Sequence, residues 1–436
     1  MLDIAKSNHW LPFTAIKSFS QRPIIVKEAR GMYYTSSDDR KILDATAGLW
    51  CVNAGHSRKK IAAAMYKQAK EMSYAPSFQI SHPGGFEFAE RLAEIAPPSL
   101  NRIFFTNSGS ESVDTALKIA LGYFKTIGKG AKTRLIGREK GYHGVGFGGL
   151  SVGGIVGNRR QFSLLLPGVD HLPHTLNTDD LFCRGLPPVK EDYASALLKL
   201  IELHDASNIA AVIVEPIAGS AGVILPPDGY LRRLREICDQ HDILLIFDEV
   251  ITGFGRIGDA FAAQRFGVVP DIMVTAKGLT NGAIPMGAVF VKKSIYDSYM
   301  DGTKSGIELA HGYTYSASPV ACAVGLATLD IYQDEKLFER SRKLESYFAN
   351  KIHSLKGMPH VKRIRNFGLV GAIDLEPREG ALGSRGYEAF TKAFFEQNIL
   401  IRATGDTLAF SPPLIIEKNE IDMIFEKVGN TLSDLS

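Results

Sequence analysis

The sequence predicts an α/β protein, with a large domain around a mostly parallel central sheet and a small α+β domain attached to it. Three observations predict this. From about residue 60 to about residue 325, strand-patterned and helix-patterned segments alternate, as repeated crossovers in a parallel sheet require. The candidate strands are short, continuous apolar runs, so both of their faces are buried. At 436 residues the chain is longer than a single core usually grows, so more than one domain packed as one body is expected.

In chain order, residues 1–59 are assigned to the small domain as its N-terminal segment, 60–325 to the large domain, and 326–436 to the small domain as its C-terminal part. Strands are expected at Arg102–Thr106, Thr133–Gly137, Ala210–Val214, Ile243–Phe247, Asp271–Val274 and Gly287–Val291. A helix after Ser112 would bury Val113, Ala116, Leu117 and Ala120, and another at Tyr230–His241 would bury Leu231, Leu234, Ile237 and Cys238. Both stripes follow the helical period and read as core. The stretch Gly141–Arg184 is rich in glycine, proline and histidine without a long period. It is expected to be an extended loop with short elements, and loops of that length usually serve a site. A helical run from Pro319 to about His353 leads into the final α+β segment.

Composition removes several classes of function. A net charge of +3, from 50 basic and 47 acidic residues, provides no broad basic field for nucleic acid. Cys51, Cys183, Cys238 and Cys322 are scattered and form no CxxC pair, so neither a metal site nor a redox dithiol is expected. Asp3, Lys6, Asn8 and His9 interrupt the first ten residues, and no apolar run reaches membrane-spanning length. The expected compartment is the cytoplasm.

The chemistry starts at Ile243-Leu-Leu-Ile-Phe-Asp-Glu-Val250, whose Asp248 is followed 29 positions later by Lys277 in Val274-Thr-Ala-Lys-Gly278. An acid at the mouth of an apolar strand can keep a pyridine nitrogen protonated. A lysine in an apolar, glycine-flanked setting can hold an aldehyde as a Schiff base. Together they read as the electron sink and covalent anchor of a pyridoxal-phosphate enzyme. Either residue alone would more often be a solvated or capping side chain.

Other residues supply the remaining contacts. Asn107-Ser-Gly-Ser-Glu-Ser112 opens a helix after a strand, so its free N–H groups, the Ser108 and Ser110 hydroxyls and the close approach allowed by Gly109 suit a phosphate. A plain N-cap is the competing reading. Gly141-Tyr-His-Gly144 brings Tyr142, which can stack on a pyridine ring, with His143 beside it. Glu215 ends the Ala210–Val214 strand. The strand ends before Ser108, Glu215, Asp248 and Lys277 would all open on the carboxyl edge of the sheet, where ligands bind in such folds.

Two lookalike motifs fail on context. Gly144-Val-Gly-Phe-Gly-Gly149 fits a dinucleotide fingerprint with Asp170 at the right distance, but no periodic helix is expected to open at Gly149 and no strand to end in the acid. Gly122–Lys129 misses the P-loop spacing by one residue.

With these residues assembled, the chain resembles the class III aminotransferases of pyridoxal-phosphate fold type I, and within them the ω-amino acid:pyruvate group. The resemblance rests on Gly48-Leu-Trp-Cys51, Tyr74-Ala-Pro-Ser-Phe78, Phe104–Ser112, Arg138–Gly144, Phe247–Arg256, Ala276-Lys-Gly278, His311-Gly-Tyr-Thr-Tyr315 and Arg402-Ala-Thr-Gly-Asp406. It implies that pyridoxal 5'-phosphate joins Lys277, pairs with Asp248, and lies between Tyr142 and Val250. It also implies that Ser108, Gly109 and Ser110 hold the phosphate with Thr314 of a second subunit. His143 and Glu215 are counted among the cofactor contacts. The implied assembly is a homodimer or homotetramer with active sites at the dimer interface.

The implied reaction moves an amino group from an ω-amino acid such as β-alanine, or from a simple amine, to pyruvate in a ping-pong cycle. Arg402 would grip the substrate carboxylate through paired hydrogen bonds. Trp50, Phe78 and Tyr142 would line a partly apolar pocket. The family often has a histidine before Pro319, where this chain has Ser318, which bears on packing at the subunit boundary. An aminomutase or decarboxylase of the same class is the alternative. A nicotinamide oxidoreductase would rest on the glycine decoy alone, and a non-catalytic relative would be expected to have lost Lys277 or Asp248.

Overall fold

The structure is a computed structural model that describes residues 7–176, 181–302 and 306–436. Asp3 and Lys6 of the N-terminal segment, and residues 177–180 of the expected long loop, lie outside the described residues. A seven-stranded sheet forms the centre. Its strands are β1 (Arg102–Thr106), β2 (Arg134–Arg138), β3 (Val169–Leu172), β4 (Ile209–Val214), β5 (Leu244–Asp248), β6 (Ile272–Thr275) and β7 (Gly287–Val291). They lie in the order β1-β7-β6-β5-β4-β2-β3. Strand β7 is antiparallel to both neighbours and the other pairs are parallel, so every strand except β7 ends at the same sheet edge.

The central strands are buried throughout their length because helices cover both faces. Every residue of β4, β5, β6 and β7 is buried, and each large aliphatic side chain so placed contributes about 1.5–3 kcal/mol. Helices α1 (Lys59–Glu71) and α2 (Pro83–Ile95) lie in one layer, α3 (Gly109–Thr126) covers β6 and β7, and α4 (Tyr230–Gln240) lies along β5. Helix α5 (Pro319–Asp334) packs on α1 and α2. The apolar stripes expected from sequence are the buried faces of α3 and α4.

Two smaller sheets complete the chain. Val26–Arg30, Tyr33–Ser36 and Lys41–Asp44 make an antiparallel meander, and the two-residue strand Ile399–Leu400 adds in parallel beside Leu43 and Asp44. The second sheet joins Arg402–Thr404, Thr407–Phe410, Val370–Leu375, Val361–Phe367 and Phe182–Arg184. Phe182–Arg184, from the middle of the chain, thus pairs with a C-terminal strand. Buried Arg256 ties these parts together, donating to the Pro412 carbonyl at 2.6 Å and to Asn53 Oδ1 at 2.8 Å.

The Gly141–Arg184 stretch is a long connection with short elements, as its composition suggested, although the sequence did not locate them. It contains a helix at Phe147–Val152 and β3 at the sheet edge. Strand β3 is Val-Asp-His-Leu, and an edge strand with one partner tolerates polar residues that hide it from apolar periodicity. Asp170 lies inside that strand and pairs with Arg134 at 2.7 Å. Among the described residues no helix is long and apolar enough to cross a membrane.

Candidate active site

Strand register brings the chemistry to one edge. Val274 of β6 lies opposite Asp248 of β5, and Phe247 of β5 opposite Val214 of β4. Asp248 therefore closes β5, Lys277 comes three residues past the level of Asp248, and Glu215 immediately follows β4. A cavity of about 130 Å³ opens there, and its lining includes Gly109, Ser110, Tyr142, His143, Glu215, Asp248, Val250 and Lys277. Eight of the thirteen residues singled out from sequence thus share one space.

Asp248 is buried and held on both oxygens. Oδ2 lies 2.8 Å from His143 Nδ1, and Oδ1 accepts from the Val250 N–H at 3.1 Å. A proton on Nδ1 satisfies the carboxylate. Among the described residues the buried His143 Nε2 has no hydrogen-bond partner, an arrangement that fixes the ring's tautomer through its carboxylate.

Lys277 occupies left-handed backbone, φ 51°, where β6 breaks into a short 3₁₀ turn. Such a conformation costs free energy in a non-glycine residue and is kept where the surroundings enforce it. Gly278 is required next, because a Cβ there would come within 2.8 Å of Asn53 Nδ2. Burial lowers the Lys277 pKa, with Cys51, Asp248 and Glu215 opposing and Arg402 adding to the fall. The shift favours the neutral, nucleophilic amine.

Glu215 works as a backbone clamp. Its carboxylate accepts from the Tyr142 N–H at 2.8 Å and the Gly219 N–H at 3.0 Å. Burial pushes its carboxyl up to about 7, with Asp248 adding and His143, the Tyr142 amide and Arg138 opposing. The sequence reading gave this residue no such role.

At the start of α3, Ser108 Oγ accepts from the Glu111 N–H at 3.1 Å, and the Glu111 carboxylate returns to the Asn107 N–H at 2.7 Å. The capping arrangement is therefore real, and it coexists with an anion cradle. The N–H groups of Gly109 and Ser110 precede the first helical bond, Ser112 N–H to Ser108 carbonyl. Ser110 Oγ accepts from the Val145 N–H at 3.1 Å. A Cβ on Gly109 would come within 3.0 Å of Val250. The glycine run of the failed dinucleotide motif is used for packing: Gly144, with φ 93°, passes so close to Ser110 that a Cβ would lie 2.6 Å from its Cα.

Five expected residues lie outside that lining. Ser108 is the cap. Arg402 begins the Arg402–Thr404 strand and lines a neighbouring cavity with Thr46, Leu49, Tyr387 and Phe390. Burial lowers its pKa, opposed by Tyr142. Trp50 is 2% exposed and belongs to a core cluster with Ile217, Val223 and Ile251. It stands behind the wall, since Ile251 itself lines the cavity. Phe78 and Thr314 lie together on the surface: Phe78 is 56% exposed and packs against Gly312, and Thr314 is exposed. Ser318 heads α5 without a side-chain cap, and His82 reaches the adjacent Ala317 carbonyl at 2.7 Å.

Sequence reasoning missed Cys51, an electrostatic neighbour of Lys277, and the His143–Asp248 bond. Each depends on long-range contacts with no local pattern. Among the described residues no cluster of three metal-ligating side chains exists. The donor set suits a flat, phosphorylated aldehyde: an anion cradle, a buried carboxylate, two apolar or aromatic side chains and a lysine amine whose charged form burial disfavours.

Residues 16–432 match the family described as Aminotransferase class-III. An omega-aminotransferase of Caulobacter vibrioides is 58% identical, with 98% of this chain and 97% of that protein covered. A beta-alanine--pyruvate aminotransferase of Pseudomonas aeruginosa is 50% identical, with 98% and 96% covered. A PLP-bound amine transaminase from an uncultivated Pseudomonas species superposes with a TM-score of 0.92 at 34% identity, covering 99% of this chain and 100% of that one.

Proposed function

This chain belongs to the class-III aminotransferases and has their pyridoxal-phosphate fold type I, and on that footing we propose that it transfers the amino group of an ω-amino acid such as β-alanine, or of a simple amine, to pyruvate. Alanine is the product, and pyridoxal 5'-phosphate is the cofactor. The observation that carries the reading is the convergence of Lys277, Asp248 and the Gly109–Ser110 loop on one cavity. The name of the Pseudomonas aeruginosa relative supports the choice of donor and acceptor, and that of the Caulobacter vibrioides relative supports the ω-amine class of donor.

When bound, the cofactor supplies an electron sink for charge that develops on the substrate carbon. Lys277 would hold it and then, once displaced, its amine nitrogen would accept the proton that leaves the substrate carbon. Asp248 would keep a positive charge stable on the ring nitrogen, and His143 holds Asp248 in place. Tyr142 and Val250 confine the ring, with Glu215 setting the Tyr142 backbone. The anion loop binds phosphate through N–H groups at the α3 N-terminus. Arg402 binds the carboxylate of β-alanine or pyruvate as a fork.

The exposed pair Phe78 and Thr314 fits a homodimer in which each subunit completes the other's site. The partition at residues 59 and 325 belongs to the same reading, as does a cytoplasmic setting. A half-reaction screen tests the function. β-Alanine added without acceptor should bleach the bound cofactor's visible band, and pyruvate should restore it with one alanine formed per site. Carbon dioxide release, or a rearranged amine without acceptor, would reject the reading.

A further inference from the structure

The surface segment that carries Thr314 also grips the chain's own anion loop. His311 Nε2 lies 2.9 Å from Thr115 Oγ1, and Tyr313 Oη lies 3.2 Å from the same oxygen. The Tyr313 hydroxyl also donates to the Glu111 carbonyl at 3.3 Å. The His311 ring stacks on Phe104, with centroids 5.6 Å apart and planes 6° from parallel. Tyr313 meets that histidine edge-on at 5.1 Å.

These contacts bracket the loop. Phe104 belongs to β1, which feeds residues 107–110, and Glu111 and Thr115 lie on the first turns of α3, which leaves them. Thr115 is fully buried, so its hydroxyl has no water to replace a lost partner. On its other side the segment is held by Tyr74, whose hydroxyl donates to the Thr314 carbonyl at 3.1 Å, and by Ser77, which donates to the Ser316 carbonyl at 2.5 Å. Any shift of the anion loop therefore reaches the backbone of Thr314 through two rings and one buried hydroxyl.

We propose that Thr115, His311 and Tyr313 are positioning residues that couple the phosphate loop of one subunit to the Thr314 hydroxyl that the same subunit offers to its partner's site. The proposal rests on the dimer reading above. Its consequence is reciprocal: phosphate at one loop changes the affinity of the second site, and phosphate at the second changes that of the first by the same factor.

Mixed dimers test it. One subunit carries Lys277→Ala, so its own site cannot bond the cofactor, and the other keeps Lys277. Pyridoxal phosphate is titrated, and the lysine-bound absorption reports the intact site alone. Thr314→Ala placed in the silent subunit should weaken that site about tenfold, the loss of one hydrogen bond to a charged group. Thr115→Val in the silent subunit should weaken it severalfold, Tyr313→Phe should do so to a smaller degree, and Thr115→Ser should restore it. If Thr314→Ala weakens the intact site while Thr115→Val and Tyr313→Phe leave it unchanged, the coupling is wrong and the dimer reading survives. If Thr314→Ala itself has no effect, the dimer reading falls and takes the coupling with it.

Discussion

The inner and outer parts of the candidate site differ in how they are built. Inside, Asp248, His143 and Glu215 are buried, and each carboxylate makes two hydrogen bonds within the chain. Outside, Phe78, Thr314 and Tyr315 are exposed, Phe78 lies against Gly312 and Tyr315 edge-on to Tyr74, and none of the three lines the cavity. The inner part is preorganised by one chain's own strand ends and turns. The outer part is fixed in shape by Tyr74, Ser77 and His311, yet its apolar and hydroxyl groups face outward. Bond-making groups are thus settled by folding, and in the proposed dimer the recognition groups wait on assembly.

The sharpest way to break this contrast is at Asp248. Asp248→Asn preserves shape and removes charge, so the protein should stay folded and lose roughly 10²–10³-fold in turnover, the usual cost of deleting a preorganised charge-stabilising group. Circular dichroism and steady-state rates measured together check it. A folded variant with normal turnover would show that the buried carboxylate is structural only.

Arg402 is an electrostatic neighbour of Lys277 and Tyr142, and its substitution should have a smaller, substrate-dependent effect. Arg402→Ala should raise KM for pyruvate and β-alanine about 10–100-fold, the cost of a charge-assisted bond. An uncharged arylalkylamine donor should be affected far less. Equal losses for all three would move carboxylate recognition to another residue.

The smallest expected effect is thermodynamic. Glu215 titrates at about 7 when folded, above the ordinary carboxylate value of 4.5. A raised carboxyl pKa means that the folded chain binds more proton than the unfolded one between those values. Stability from this group is therefore full below pH 4.5 and is lost as pH rises through 7. Glu215→Gln keeps an acceptor for one of the two N–H groups and cannot ionise. Thermal unfolding from pH 5 to 8 should fall less steeply for the variant than for the wild type, and identical slopes would assign the pH dependence to another group such as Glu249, also at about 7.

Sequence made the inner part legible because its signals are local. Continuous apolar runs ending in Asp248 and Glu215 could only be buried parallel strands, and their polar ends could only meet at one edge. The anion loop was legible for the same reason. Strand β3 was not, because an edge strand needs little apolar content. Nor was the burial of Trp50, whose neighbours Ile217, Val223 and Ile251 come from distant loops. The Glu215 clamp on Tyr142 spans 73 residues and leaves no periodic trace. Cys51 beside Lys277 is hidden likewise.

The short parallel pairing of Ile399–Leu400 with Leu43 and Asp44 links positions more than 350 residues apart. During synthesis the Lys41–Asp44 strand emerges early and then has an unpaired flank until Ile399 and Leu400 have left the ribosome. The small sheet that it belongs to thus cannot be finished until more than 350 further residues have been made. A chain cut short before Ile399 exposes that flank, which makes such truncated products natural clients for chaperones and proteases.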